Sequence, residues 1–196
     1  MTNNNIVMIH GMLGGSWYWK EYKDFFERKG YHCHTPTLRH HHYLFNSIPN
    51  PLLGTTSIAD YLEDLEKEIR QLDSPPIIFG HSMGGILAQI LGSRGLAKAL
   101  VLIAPAAPHG ILTLRFKVVK GFLSILSSWG FWNKPIRVTF QEFVYAAAHL
   151  LPIEQQQAYY DRLVWESGRA ATEVALPMLF RDPPTKVDES RVTCPV

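Results

Sequence analysis

Ile77-Ile78-Phe79-Gly80-His81-Ser82-Met83-Gly84-Gly85-Ile86-Leu87-Ala88 decides the fold. A short apolar run enters it and a helical apolar pattern, continuing through Gln89-Ile90-Leu91, leaves it. The centre fits Gly-x-Ser-x-Gly, with Ser82 on a tight strand-to-helix turn. Such a turn is strained, and the helix packs close to the strand, so residues without side chains are needed beside the serine. Gly80 and Gly84 supply them, and His81 and Met83 flank the serine directly. The spacing lifts Ser82 Oγ above the sheet at the start of a helix, where a nucleophile can be presented.

A second motif lies near the N-terminus. The apolar run Ile6-Val7-Met8-Ile9 ends at His10-Gly11 and continues Met12-Leu13-Gly14-Gly15-Ser16-Trp17-Tyr18-Trp19. A serine attacking an acyl carbon creates an oxyanion that needs fixed donors. One donor is the N–H after the nucleophile, Met83; the other comes from a loop after an early strand. Met12 N–H is the best-placed candidate, because Gly11 lets that loop turn sharply. His10 is assigned to packing the loop against the sheet and not to catalytic base.

On these two motifs the chain resembles the α/β-hydrolase family, in the branch with a His-Gly oxyanion loop and Gly-His-Ser-Met-Gly-Gly at the turn. The resemblance runs along nearly the whole chain. It implies an α/β fold with a mostly parallel sheet, flanking helices and an inserted helical cap. It implies no cofactor and no metal. It also implies a histidine and an acid, in the order Ser, acid, His.

Those two partners are not evident. Only His109 and His149 follow Ser82, and both precede any later strand. Asp182, Asp188 and Glu189 come before the stretch Arg191-Val192-Thr193-Cys194-Pro195-Val196, which reads as the start of a further strand, so they are poor candidates for the acid. The expectation is a C-terminally truncated chain, with the C-terminal strands, base and acid beyond residue 196. Strand 99–104 would otherwise keep an apolar, unpaired edge.

The rest of the chain reads around this frame. Alternating strands (5–10, 31–35, 77–81, 99–104) and helices predict a parallel sheet. Ser16 is the predicted N-cap of a helix running to about Arg28. Ser57-Ile58-Ala59-Asp60 predicts a capping box, followed by the apolar face Ile58, Tyr61, Leu62, Leu65, Ile69 and Leu72. Glu63–Lys67 and Glu66–Arg70 are predicted pairs on its wet face. The expected organisation is a core over 1–108, a cap over 109–186 and a return to the core over 187–196. The cap reads as helices without strands. Val118, Val119, Phe122, Leu126 and Trp129 form one apolar helical face, Thr139 and Glu142 a second capping box, and Pro152 and Gly168 the two ends of a later helix. Phe116 and Phe122 are candidate pocket residues. His40, His41 and His42 read as a solvated loop rather than metal ligands, since adjacent residues point in alternate directions.

Composition bounds the function classes. The 196 residues suit one domain, and a formal net charge of +2 with no basic stripe gives no case for nucleic acid. Cys33 reads as a free buried thiol, far from Cys194, and no disulfide framework is supported. The N-terminus lacks a signal-peptide pattern, and the apolar segment 111–132 is broken by Arg115, Lys117 and Lys120, so no integral membrane segment and a cytoplasmic location are expected. The function expected is a serine hydrolase that cleaves a carboxylic ester or thioester of a small to medium lipophilic substrate through an acyl-enzyme on Ser82. The alternatives are a non-catalytic binding protein or a lyase of the same fold.

Overall fold

The computed structural model describes residues 4–42, 44–111, 120 and 122–196. Four parallel strands form the central sheet: β1 (Asn5–Ile9), β2 (His32–His34), β3 (Ile77–His81) and β4 (Ala99–Ile103), in the order β2-β1-β3-β4. Side chains alternate between the faces of a strand. Val7, Ile9, Ile78 and Leu100 therefore meet helices α2 (Ile58–Ile69) and α3 (Met83–Ser93) on one face. Ile6, Met8 and Phe79 pack with Trp19 and Cys33 on the other, beside α1 (Lys20–Glu27). Cys33 is a free, buried thiol, as expected, and Cys194 is also unpaired.

Helix α2 follows its sequence closely. Ser57 accepts from Asp60 N–H and Asp60 accepts from Ser57 N–H, completing the capping box. The predicted apolar face is buried apart from Leu72, which is half-buried. Arg70 pairs with Glu66 at 2.6 Å. Glu63 instead turns to Arg39, whose guanidinium also reaches Asp60 and takes Asp64 in a two-point contact. That clamp presses the loop after β2 onto α2. The loop also corrects the reading of the three histidines. His42 is exposed and His40 half-buried, but His41 is buried, because residues 39–42 turn, with His40 at φ +65°, and the His41 ring packs beside His10 and Tyr61.

Three further expectations change. Ser16 does not cap: the segment starts as a 3-10 turn over Ser16–Trp19 with Gly15 at the cap position, and α1 begins at Lys20. Strand β4 is only partly covered, with Leu100 buried and Val101 exposed, because it lies at the edge of the sheet. Leu100 N–H on that edge donates to Pro195 O at 2.9 Å, so the last residues run beside β4 without forming a strand.

The segment read as strand-free contains a two-stranded antiparallel ribbon, β5 (Pro135–Ile136) with β6 (Glu166–Ser167). Around it lie α4 (Leu123–Leu126), α5 (Phe140–Phe143), α6 (Ile153–Tyr160) and α7 (Gly168–Ala175). The Thr139–Glu142 capping box forms, and Glu142 also accepts from Ser124 N–H and Oγ, tying α5 to α4. Pro152 immediately precedes α6, but that helix ends at Tyr160, and Gly168 opens α7 instead. Gly168 belongs there because a Cβ would overlap Phe131 O. Trp129, assigned to the apolar face, is exposed, and Leu126 largely so. Val118, Val119 and Phe116 lie outside the described residues. These elements share a second apolar cluster that includes Leu13, Phe45, Ile136, Val138 and Leu163, with Phe122 packed against it.

Candidate active site

The C-terminal ends of β1 and β3 are neighbours, with Ile9 paired to Gly80. The loops leaving them therefore meet above the sheet edge, where open α/β sheets place their ligands. Ser82 is the first residue after β3 and has φ +52°, ψ −118°, outside the ordinary regions for an L-residue. Its backbone is held in that state from several sides. Ser82 N–H donates to Ile103 O at 3.1 Å, while Ser82 O accepts from Gly85 N–H at 2.9 Å and Ala106 N–H at 2.8 Å. Met83, wholly buried, opens α3, so its N–H is among the first helical amides that lack an intrahelical acceptor. The positive end of the helix dipole lies at the same point.

Glycines set the close approaches. A Cβ on Gly84 would overlap Ile9 O, and one on Gly11 would come to 2.9 Å from Ser82 Cβ and 3.0 Å from His81 Nδ1. Gly11 thus brings the loop after β1 into contact with the serine turn. The orientation of that loop follows from one peptide unit. Gly11 C=O accepts from His10 Nδ1 at 2.9 Å and from Gly14 N–H at 3.2 Å. Met12 N–H belongs to the same planar peptide, so it points the opposite way, out of the turn.

His10 is the fixed point of this arrangement. It is wholly buried, and its Nε2 accepts from Leu38 N–H at 3.2 Å. Accepting at Nε2 while donating from Nδ1 requires the neutral Nδ1–H tautomer. Burial, with His41 beside it, pushes its pKa from 6.5 down to about 3. The unfolded chain therefore takes up a proton below ~6.5 that the folded ring refuses. The contribution of His10 to stability is complete above ~6.5 and is lost as pH falls toward 3, by up to ~1.4 kcal/mol per pH unit. Urea midpoints should fall between pH 7 and pH 5, and His10→Asn should make that slope shallower.

Two neighbours were not identified from sequence. Tyr18 stacks edge-on against His81 at 5.7 Å, and burial raises its hydroxyl to about 12, so it stays a neutral phenol. Glu166 is wholly buried and accepts from Ser167 N–H at 2.7 Å, Tyr61 OH at 2.9 Å and Leu13 N–H at 3.2 Å. His41 Nε2 lies 3.1 Å from the same carboxylate, close but without the alignment of a full hydrogen bond. Burial pushes Glu166 up, yet His41 and the donors outweigh it and hold the carboxyl below its ordinary range. Its only signal in the sequence is an acid closing the apolar run Leu163-Val164-Trp165. His109 and His149 are both exposed. Among the described residues no group of three or more His, Cys, Asp or Glu is placed to hold a metal ion, and no helix is long and apolar enough to cross a membrane.

A parallel sheet with a strained serine between strand and helix, faced by a glycine loop from the neighbouring strand, defines the α/β-hydrolase class. The chain belongs to the alpha/beta hydrolase family, whose profile matches residues 6–194. A probable lysophospholipase of Arabidopsis thaliana, BODYGUARD 4, is 27% identical over 109 residues, covering 53% of this chain and 25% of the relative. An extracellular α/β-hydrolase from a Paenibacillus species, described as sharing structural and functional homology with tobacco salicylic acid binding protein 2, matches with TM-score 0.67 and 22% identity. That match covers 83% of this chain and 66% of the hydrolase. Polyneuridine aldehyde esterase, as an H244A mutant, matches with TM-score 0.60 and 18% identity, over 88% of this chain and 76% of the esterase. The chain thus spans a quarter of the curated relative and just under two thirds of the Paenibacillus hydrolase.

Proposed function

We propose that the chain carries the nucleophile and oxyanion site of a serine hydrolase acting on a carboxylic ester or thioester of a small to medium lipophilic substrate. The observation that carries this reading is the left-handed Ser82 at the strand-to-helix turn, with the Gly11 loop against it. Ser82 Oγ attacks the acyl carbon while its proton passes to a base. The C–O or C–S bond then breaks, and the alcohol or thiol leaves protonated. Water attacks the acyl-enzyme, releasing the acid and restoring Ser82. Met83 N–H, at the helix start, and Met12 N–H, turned outward by the two bonds on Gly11 C=O, are the oxyanion donors. His10, Gly11, His81 and Gly84 shape the site around them. Residues 109–186 form the cap, whose apolar cluster suits a lipophilic acyl or alcohol part. In the chain order of the fold the acid and then the histidine follow the nucleophile. The unpaired Cys33 and Cys194 suit a reducing compartment, which is the basis for a cytoplasmic assignment.

The test is a fluorophosphonate probe applied to the full-length protein, followed by peptide mapping. The phosphorus–fluorine bond breaks, fluoride leaves and the phosphonyl group stays on the nucleophile. A single adduct on Ser82 is expected. An adduct elsewhere, or none in protein whose fold is intact, would overturn the assignment.

A further inference from the structure

The oxyanion loop is held less by the sheet that launches it than by the segment that lies over it. Leu13, with φ +62°, is in the left-handed region, where a non-glycine residue needs external support. Three contacts supply it, all from the far half of the chain. Leu13 N–H donates to Glu166 Oε2 at 3.2 Å, Leu13 O accepts from Val164 N–H at 2.9 Å, and the Leu13 side chain is buried in the apolar cluster with Ile136 and Leu163. Glu166 can reach the loop because it is itself fixed at its base. Ser167 N–H and Tyr61 OH donate to Oε1, leaving Oε2 for Leu13 and His41.

The geometry points to Glu166 as a positioning residue for the oxyanion loop, one that holds the Leu13 amide and thereby fixes the conformation of Met12. The Leu13 N–H lies in the Met12–Leu13 peptide, so anchoring it fixes ψ at Met12. The preceding peptide is already held through Gly11 C=O. Both sides of Met12 are then locked, and its N–H cannot swing. An oxyanion donor is effective only if it needs no reorganisation when charge develops. The catalytic half of this inference rests on the nucleophile reading above; the anchoring half does not. Charge balance with His41, 3.1 Å away, would not by itself require the bond to Leu13.

Three substitutions separate reach from charge. Glu166→Gln keeps the length and one of the two acceptor oxygens but loses the charge. Glu166→Asp keeps the charge but is one methylene too short for Leu13. Glu166→Ala loses both. Two readouts are taken on the full chain: hydrogen exchange of the Met12 and Leu13 amides, and the inactivation rate at Ser82 by a fluorophosphonate, resolved into reversible binding and chemical step. A melting curve confirms that each variant is folded.

Glu166→Ala and Glu166→Asp should raise exchange at Leu13 by roughly tenfold or more. They should slow the chemical step by at least roughly tenfold, with reversible binding changed less than about threefold. Glu166→Gln, whose single oxygen can serve Leu13 only by giving up the Ser167 amide, should recover part of both losses, and more than Glu166→Asp does. Should Glu166→Ala fail to fold, the Gln and Asp variants carry the comparison alone. Rescue by Asp as good as by Gln would overturn the inference and leave a charge-balancing role. Unchanged Leu13 exchange in folded Asp or Ala variants would also overturn it. If the parent does not label at Ser82, the nucleophile reading fails, and exchange at Leu13 still decides whether Glu166 anchors the loop.

Discussion

Gly84→Ala is expected to abolish the folded state, or to lower its stability by about 4 kcal/mol or more, far beyond an ordinary glycine exchange. Alanine in a helix normally gains up to ~1 kcal/mol over glycine. Here the added methyl would overlap Ile9 O and lie 2.7 Å from His10 O. Both obstacles are main-chain atoms. Ile9 is the last residue of β1 and is held in register with Gly80 across the sheet, so it cannot step aside as a side chain could. Relief requires α3 to lift away from β1. That would uncover Ile86, Leu87 and Leu91, all wholly buried. It would also undo the turn that holds Ser82. Gly15→Ala is the control. Gly15 sits at φ −153°, and its nearest contact is Trp17 Cδ1 at 3.1 Å, a side-chain atom that can yield. Its cost should stay below ~1 kcal/mol. Denaturation midpoints of the two variants check the contrast. Equal small losses would mean that the helix does not sit on the strand as closely as the fold requires.

Much of this site was legible because it is local. Strand, turn and helix around Ser82 occupy consecutive residues, and the Gly11 loop follows directly from the strand that pairs with β3. The period of α2 and its capping box are likewise local, so they survive folding unchanged. What the sequence hid is non-local. Glu166 and His41 are 125 residues apart, and nothing in either neighbourhood says that they share a buried pocket. His41 was read by its chain neighbours, two other histidines, whereas its burial is decided by the turn at His40 and by packing beside His10 and Tyr61. The same limit explains the ribbon β5–β6. Two-residue strands have too few positions to show a period of 2, and their pairing depends on elements 30 residues apart. The apolar face assigned across Phe122, Leu126 and Trp129 erred differently. Helical spacing there was real, but α4 spans only Leu123–Leu126, so Trp129 falls past its end and turns to solvent.

Replacing Ser82 by glycine should move stability and reactivity in opposite directions. A non-glycine residue forced into a sparsely populated backbone region costs ~1–3 kcal/mol, and Ser82 sits at φ +52° and ψ −118° under three backbone hydrogen bonds. Glycine relieves that strain but loses ~0.5–1 kcal/mol by loosening the unfolded chain. Ser82→Gly should therefore be more stable than the parent by roughly 1 kcal/mol. Ser82→Ala keeps the Cβ and the strain, and its stability should remain within ~0.5 kcal/mol of the parent. Both should lose fluorophosphonate labelling completely, and in the complete enzyme both should lose ester turnover by ~10³-fold or more. The pair separates two explanations of the same loss. A structural serine, needed only for the turn, would make Ser82→Gly harmless to labelling at any neighbouring nucleophile and would leave turnover near the parent value. A nucleophile held in strain by the fold gives a more stable protein with no chemistry. The gain in stability measures what the backbone gives up to present the hydroxyl, since no side-chain contact of Ser82 is needed to explain it. A stability loss in Ser82→Gly, with turnover retained, would remove both the strain argument and the nucleophile assignment together.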